Sequence, residues 1–394
     1  MCPSYMVTLE EKHSTRGRAR LLGEMIRGET VVDGWKSEEV REALDLCLAC
    51  KGCKGECPVQ VDMAVYKAEF LSHYYEGRLR PLTAYTMGHI HFWSRIASLI
   101  PNTTNFLTHA PVFAQIAKSV AGIHTNRTIP KFATSTFKNW FSKHKAQNGA
   151  TSTRSPVILW PDTFNNYFHP QTASAAVEVL EAAGFDVQVP RQNLCCGRPL
   201  YDWGFLKKAR ALLSEILKQL REPIEQGVPV VVLEPSCATV FREEMLNFFP
   251  TNGDAKRLKD QTFLLSEFLE TKAKDFNPPK LNRKAVLHGH CHHKSIMKMD
   301  DEESILKKLG VDYSMPDTGC CGMAGAFGFE KEHYEVAMKC GERVLLPAVR
   351  DAAEDTLLIT DGFSCREQIA QSTDRTALHL AEVIQIALAQ SNNR

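Results

Sequence analysis

The stretch CLACKGCKGECP, Cys47 to Pro58, decides the fold of the first part of the chain. Its cysteines follow the spacing C-x2-C-x2-C-x3-C-P, which is typical of bacterial ferredoxins. In such a run the first three thiolates bind one iron–sulfur cluster, and the fourth binds the other cluster of a two-cluster module. Structural zinc and inert thiols are the alternatives. We favour iron–sulfur, because zinc sites usually use two separated C-x-x-C pairs.

The pair Cys2-Pro3 at the start of the chain has the form that ends a ferredoxin run. We therefore predict that it completes one [4Fe–4S] cluster, although a chance Cys-Pro pair is the alternative. The predicted ligands of this cluster are Cys2, Cys47, Cys50 and Cys53. Cys57 would bind a second cluster, whose three other cysteines we expect upstream of Cys2, where this chain has none. Met1 is then either a true start or the first residue of a fragment.

Composition limits the class of protein. The chain has 394 residues, of which 44% are hydrophobic and 24% charged, with a formal net charge of +1. These values predict a globular protein of two or three domains and no nucleic-acid partner. Thirteen cysteines favour metal binding in a reducing compartment. The sequence has no apolar run long enough for a transmembrane helix and no signal core, so we expect a cytoplasmic location, free or at the inner face of the membrane.

The region between the ferredoxin run and residue 141 has helical spacing. The long insert between Cys2 and Cys47 also has this spacing, which predicts an α-helical ferredoxin domain rather than a compact one. In MGHIHFWSRIASLIP, residues 87–101, one face carries Ile90, Trp93, Ile96, Ala97 and Ile100. We predict that this face packs against the ferredoxin module. The alternative is a helix on a membrane surface or near a quinone.

Two passages of the second half share a layout. In each, short apolar strands alternate with helical stretches around a CCG triplet, at 195–197 and at 320–322. A closing cysteine follows the pair after 41 residues in one copy and 44 in the other. This pattern predicts an α/β fold with cysteines at the carboxyl ends of strands. The predicted boundaries are a ferredoxin-like domain with helical extension at 1–141, a linker at 142–156, and CCG repeats at 157–275 and 276–394.

The second repeat has a complete set of cysteine ligands and the first does not. The second set is Cys291, Cys320, Cys321 and Cys365, and the first is Cys195, Cys196 and Cys237. Asp162 or Thr163 stands where the first repeat lacks its fourth cysteine. That repeat is therefore degenerate, completed by an oxygen ligand, or a group of buried inert thiols.

Histidines surround Cys291 in HGHCHHK. They are His288, His290, His292 and His293. We expect most of them to lie around the site or at the surface, and one to bind metal or move protons. Cys340 is predicted to be a core residue. The glycines after the second CCG form no dinucleotide fingerprint, so no FAD or NAD site is expected in this chain.

The ferredoxin run followed by two CCG repeats resembles the iron–sulfur subunit of glycolate oxidase, one of the subunits of anaerobic glycerol-3-phosphate dehydrogenase and one of those of heterodisulfide reductase. The stretches MCPSYMVTLEEKHSTRGRARLL and GCCGMAGAFGFEKEHYEVAMK are more similar still to the C-terminal part of fused FAD-linked D-2-hydroxyacid dehydrogenases.

The resemblance implies electron transfer from an FAD-binding oxidase domain or subunit, through the cluster and the CCG domain, to an acceptor such as a quinone. It implies that FAD belongs to that partner or to a missing upstream domain, and that the chain is inactive alone. A thiol–disulfide reductase acting at the CCG cysteines and a scaffold holding structural zinc are the alternatives.

Overall fold

The computed structural model describes residues 2–148 and 154–392. Ten α-helices form the described N-terminal region. They are α1 (Pro3–Thr8), α2 (Thr15–Arg27), α3 (Glu38–Asp45), α4 (Gly52–Glu56), α5 (Met63–Tyr74), α6 (Leu82–Thr86), α7 (Ile90–Ala97), α8 (Pro101–His109), α9 (Pro111–Ala121) and α10 (Phe137–Asn148). No helix in the described ranges combines the length and the apolar character needed to cross a bilayer.

Capping side chains explain where the ferredoxin helices begin. The hydroxyl of Ser14 accepts a hydrogen bond from the Gly17 N–H at the start of α2, and Ser37 does the same for the Val40 N–H at the start of α3. These bonds satisfy N–H groups that a helix start leaves without partners. A small core then joins α2, α3 and α5, in which Val40, Leu44 and Phe70 are fully buried. The predicted α-helical ferredoxin-like domain is what the structure shows.

The first cysteine-rich repeat contains a four-stranded parallel sheet in the order β2-β1-β3-β4. Its strands are β1 (Ser155–Leu159), β2 (Phe185–Gln188), β3 (Val230–Val232) and β4 (Thr262–Leu264). Its helices are α11 (Thr163–Tyr167), α12 (Pro170–Ala182), α13 (Arg198–Asp202), α14 (Leu206–Glu225), α15 (Pro235–Thr239), α16 (Met245–Phe248), α17 (Gly253–Gln261) and α18 (Leu265–Thr271), with a π-helical turn at Val240–Glu244.

The second repeat contains a three-stranded parallel sheet in the order β6-β5-β7. Its strands are β5 (Lys284–Leu287), β6 (Asp312–Ser314) and β7 (Leu357–Ile359). Its helices are α19 (Asp300–Lys308), α20 (Tyr334–Glu342), α21 (Leu345–Asp351), α22 (Phe363–Ser372) and α23 (Leu380–Asn392), with a π-helical turn at His293–Met297.

The two repeats share strand order and a hydrophobic core. The order β2-β1-β3 of the first sheet matches β6-β5-β7 of the second. One cluster of buried side chains runs through both repeats and includes Leu159, Leu180, Leu287 and Ile384. The sequence predicted six of the seven strands. It missed β4, because Thr-Phe-Leu lies directly between α17 and α18, with no turn residues to mark its ends.

Two other expectations concern the region before β1. Part of the predicted linker, residues 142–148, is the end of α10, and β1 begins inside it at Ser155. Residues 149–153 of that linker lie outside the described residues. The prediction that the apolar face of 87–101 packs against the ferredoxin module is wrong. Trp93 and Ile100 on that face are 47% and 58% exposed, and only its inner edge, Ile90 and Ala97, packs against a neighbouring aromatic cluster.

Candidate metal centre

Four cysteines of the N-terminal domain line one small cavity. They are Cys2, Cys47, Cys50 and Cys53. Positive φ angles at Ala49 (51°) and Lys51 (58°) bend the loop after α3, so that the thiols on either side of each bend turn to the same space. Four thiols around one cavity are the donor set of a [4Fe–4S] cluster, so the residues present fit that group.

Arg18 supplies positive charge to this cysteine set. Its Nη1 donates to the Sγ of Cys2 at 2.9 Å, its Nη2 to the hydroxyl of Ser4 at 2.9 Å, and its Nε to the carbonyl oxygen of Ala43 at 2.7 Å. Burial opposes ionisation of the Cys2 thiol, but the Arg18 guanidinium and hydrogen bonds with Ser4 and Tyr5 outweigh it and lower the pKa of Cys2. A thiolate at Cys2 is the form that binds metal.

Cys57 lies outside this cavity. Its thiol accepts hydrogen bonds from the backbone N–H groups of Val61, Val59 and Gln60, which lower the pKa of Cys57. The structure therefore does not place Cys57 among the residues that line this cavity, and its role at a second cluster stays a prediction.

The cysteines of the second repeat converge at the carboxyl ends of its strands. Cys320 is in hydrogen-bonding contact with Cys291 and Cys321, and Cys321 with Cys365. Hydrogen bonds from Cys320 and Cys365, together with His288, overcome burial and lower the pKa of Cys321 well below its usual range. The second repeat thus holds four buried thiols, one of which ionises readily.

His288 is the histidine that joins this set. One of its ring nitrogens lies within 4.8 Å of the thiols of Cys321 and Cys365. Its Nδ1 is 2.6 Å from the hydroxyl of Thr318, and its ring also interacts with the Cys321 thiol. The sequence indicated four candidate histidines around Cys291, and only the fold separates their roles.

The cysteines of the first repeat are also buried but form a smaller set. The Sγ atoms of Cys196 and Cys237 are 3.0 Å apart, and the hydroxyl of Thr163 is 3.8 Å from the Sγ of Cys195. A hydrogen bond with Cys196 lowers the pKa of Cys237, but burial and the carboxyl groups of Asp162 and Glu234 raise it to about 11. Thr163 therefore lies beside Cys195 as Cys291 lies beside Cys320 in the second repeat, which is the place of the missing cysteine.

The glycine of each CCG triplet is required by the backbone. Gly197 and Gly322 have φ angles of 76° and 88°, in the left-handed region that side chains disfavour. A Cβ at Gly322 would lie 2.0 Å from the carbonyl oxygen of Ala337 in α20. The glycine lets this helix approach the cysteine pair.

One cavity of about 420 Å³ joins the three parts of the molecule. Cysteines from all three line it, namely Cys47, Cys50, Cys195, Cys196, Cys237, Cys291, Cys320 and Cys321. Cys50 packs against the buried cluster that contains Cys291 and Cys320, and burial together with Cys291 raises the pKa of Cys50 well above its usual range. The ferredoxin loop thus shares one cavity with three of the four cysteines of the second repeat, Cys291, Cys320 and Cys321.

Both repeats hold the ferredoxin loop at Ala49. Nη2 of Arg198, next to the first CCG triplet, donates to the Ala49 carbonyl oxygen at 3.0 Å, and Nε2 of His292 lies 3.0 Å from the same oxygen. Glu244 pairs with both Lys51 and Arg198 at 2.9 Å in a buried network. Sequence reasoning missed Lys51, Arg198 and Glu244, because lysine, arginine and glutamate carry no local signal that they are buried.

Comparison with family models agrees with this organisation. Residues 1–62 match the 4Fe-4S dicluster domain, and residues 163–242 and 286–370 each match the cysteine-rich domain. The predicted ferredoxin module, iron–sulfur cofactor and two CCG repeats are thereby confirmed.

Three relatives differ in how much of this chain and of their own length the similarity covers. The chain is 26% identical to D-2-hydroxyglutarate dehydrogenase of Pseudomonas putida, over 98% of this chain and 41% of the relative. It is 29% identical to one of the subunits of anaerobic glycerol-3-phosphate dehydrogenase of Escherichia coli, over 78% of each chain. It is 28% identical to lactate utilization protein A of Anoxybacillus flavithermus, over 58% of this chain and 98% of the relative. The chain spans about two fifths of the length of the D-2-hydroxyglutarate dehydrogenases it matches.

Proposed function

We propose that this iron–sulfur oxidoreductase component, a 4Fe-4S dicluster domain followed by two cysteine-rich domains, relays electrons from a flavin that oxidises a D-2-hydroxyacid to a downstream acceptor such as a quinone. The observation that carries the proposal is the shared cavity, which is lined by Cys50 of the ferredoxin loop and by Cys291 of the second repeat. A relay needs its redox groups close together.

Residues of this chain would hold the cluster and keep the ferredoxin loop against the repeats. Iron–sulfur clusters supply one-electron steps, into which the two-electron chemistry of a flavin is divided. Cys2, Cys47, Cys50 and Cys53 would hold the N-terminal cluster, and Arg18 would offset its negative charge. Arg198 and His292 would keep the loop against the repeats through Ala49.

The flavin donor belongs to a partner or to an upstream domain in this proposal. Support comes from the D-2-hydroxyglutarate dehydrogenases, of which this chain covers only about two fifths. The substrate class follows from the same relatives and from lactate utilization protein A. D-lactate, glycolate and D-2-hydroxyglutarate are the first substrates to test with the partner present.

Reconstitution tests the relay. The full chain, purified without oxygen, is mixed with an FAD-dependent D-2-hydroxyacid oxidising flavoprotein and its substrate, and the reduced cluster signal is followed by electron paramagnetic resonance with a quinone analogue as acceptor. Reduction by substrate, followed by reoxidation by the quinone analogue, supports the proposal. Zinc without iron in the purified chain would refute it, as would reduction of a disulfide substrate by the chain alone with no effect of the flavoprotein.

We also propose that helices α7 to α9 lie on an anionic membrane surface, where a quinone would be accessible. Twelve of the twenty-one exposed large apolar side chains of the described residues lie between Leu82 and Val120, among them Phe92 and Trp93. From residue 77 to residue 161 the sequence holds ten Lys or Arg residues and no Asp or Glu. Exposed aromatic and aliphatic groups in a basic, acid-free region suit anionic lipid headgroups.

Vesicle sedimentation tests this location. We expect the chain to bind vesicles containing phosphatidylglycerol, and binding to weaken when salt screens the charges. Trp93→Ser together with Ile96→Ser should weaken binding, whereas Val32→Ser, which removes a 76% exposed side chain elsewhere, should not. Equal binding by both variants, or no binding by the wild-type chain, would contradict the proposal.

A further inference from the structure

A second group of potential metal ligands lies in the second repeat, apart from all the cysteines. It consists of His293, Glu302 and Asp361, whose ligand atoms lie within 4.8 Å of one another. His293 begins the π-helical turn after β5, Glu302 lies in the first turn of α19, and Asp361 follows β7. Three separate elements therefore present one nitrogen and two carboxyl groups to one point.

The group is buried and short of hydrogen bonds. The side chains of His293 and Glu302 are each 1% exposed. Nε2 of His293 and Oε1 of Glu302 have no hydrogen-bond partner among the described residues, whereas Nδ1 and Oε2 lie 3.1 Å apart as an ion pair and the Glu302 carboxyl group adjoins that of Asp361. Leaving buried polar atoms without partners costs about 1–3 kcal/mol each. The two unpartnered atoms and the two adjoining carboxyl groups point to a missing cation at the centre of the group.

The charges of the two carboxyl groups indicate that the missing partner is a cation. Burial and the neighbouring carboxyl group of Asp361 raise the pKa of Glu302 well above its usual range, since two carboxylates at this distance repel each other. A divalent cation would neutralise both. An imidazole nitrogen with two carboxylate oxygens suits Zn²⁺ and Mn²⁺, whereas Mg²⁺ and Ca²⁺ prefer oxygen ligands alone.

We propose that His293, Glu302 and Asp361 bind one divalent first-row cation, with Zn²⁺ as its first candidate, independently of the iron–sulfur cysteines. The cation ties together the loop after β5, the start of α19 and the loop after β7. Cys291 lies two residues before His293, and Cys365 lies four residues after Asp361. The cation therefore positions both ends of the second cysteine set without touching them, and this role does not depend on the identity of the electron donor or acceptor.

Metal analysis of the iron-loaded full chain tests the proposal. We compare the wild-type chain with Glu302→Gln, which keeps the side-chain volume and removes the charge. The wild-type chain should hold one zinc, or another divalent first-row metal, that Glu302→Gln lacks, with equal iron in both. Asp254→Asn is the matched control, since that buried carboxylate already has Arg221 and Arg257 as partners, and its metal content should not change. Equal non-iron metal in the wild-type chain and Glu302→Gln overturns the proposal.

A titration keeps the test independent of whether the variant folds. Mn²⁺ avoids thiolates and gives a paramagnetic signal that is lost on tight binding. After dialysis against a chelator, the iron-loaded wild-type chain should bind one equivalent of Mn²⁺, and Zn²⁺ should displace it. Failure of the wild-type chain to take up either ion would mean that Glu302 and Asp361 share a proton instead, and the proposal would be wrong.

Discussion

The two cysteine-rich repeats have the same strand order but differ in what they offer the ferredoxin domain. The second repeat has four thiols and His288, and its Cys291 lines the same cavity as Cys50. The first repeat has three thiols and Thr163, and it holds the ferredoxin loop through the buried charges of Arg198 and Glu244.

This difference suggests a division of roles within a duplicated fold. The first repeat, which offers three thiols, holds the loop that carries Ala49 and Lys51 through its charged residues Arg198 and Glu244. The other repeat keeps the thiols and reaches the same loop with His292. We interpret the first repeat as mainly a support and the second as the redox-active one.

The largest effect is expected from Cys291→Thr, which gives the second repeat the ligand set of the first. Loss of one thiolate should weaken metal binding there by about 10- to 100-fold or more, since even residues behind the ligands have effects of that size. Iron per chain should fall while the spectrum of the N-terminal cluster remains. Cys340→Ala, at a buried cysteine outside the set, is the control. Unchanged iron per chain in Cys291→Thr would show that the fourth thiol is not what distinguishes the second repeat from the first.

Glu244→Gln tests the supporting role of the first repeat. Both Lys51 and Arg198 would lose a buried partner, which costs about 3–5 kcal/mol in comparable cases. Because Lys51 keeps Asp62 and Arg198 keeps Asp202, we expect the lower end of that range in the free energy of unfolding by denaturant.

The adjacent residue provides the control for Glu244→Gln. Glu243 pairs with Lys54 and its side chain is 24% exposed. Glu243→Gln should therefore cost no more than about 1 kcal/mol. Equal losses in the two variants would show that the buried network has no special role.

His333 makes the contact of the second repeat with the ferredoxin domain depend on pH. Burial lowers its pKa, but Asp45 (2.9 Å) and Glu330 (3.0 Å) outweigh burial and raise the pKa to about 9. A histidine with a raised pKa stabilises the folded state fully below its unfolded pKa of about 6.5, and this contribution is lost as the pH rises through 9. The loss is at most about 3 kcal/mol, and less because Asp45 is partly exposed.

Thermal unfolding measures the contribution of His333 to stability. It is followed between about pH 6 and pH 10, which spans the window of about 6.5 to 9. The melting temperature of the wild-type chain should fall across the window, and the fall should be smaller in His333→Gln. His73→Gln, which removes a surface pair with Glu69, should keep the wild-type profile. A wild-type profile in His333→Gln would assign the pH dependence to other groups.

The smallest effect is expected from Thr163→Cys, which supplies the thiol that the first repeat lacks. The new Sγ would lie near Cys195, since the Thr163 hydroxyl is 3.8 Å from that sulfur. We expect a partial gain of iron or zinc, measured by metal analysis, and no gain in Thr163→Ser. If Thr163→Cys gains nothing, a missing ligand is not what separates the two repeats.

The sequence by itself determined the local chemistry of this protein. The spacing of Cys47, Cys50 and Cys53 and the two CCG triplets are short-range patterns, and ligand geometry permits few alternatives to them. The strands of both repeats could also be predicted, apart from β4, because their apolar runs are bounded by turn residues, whereas β4 lies directly between two helices. The cysteine sets and the α/β repeats therefore needed no structure to be predicted.

Tertiary structure alone decided how these parts meet. The packing of Cys50 against the cluster that contains Cys291, the burial of Lys51 beside Glu244 and the exposure of Trp93 depend on packing between segments far apart in the chain. No periodicity distinguishes an apolar helix face that meets protein from one that meets solvent. The spacing of cluster ligands is fixed by the covalent chain over a few residues. The burial of a side chain depends instead on which distant segment packs against it in the tertiary structure.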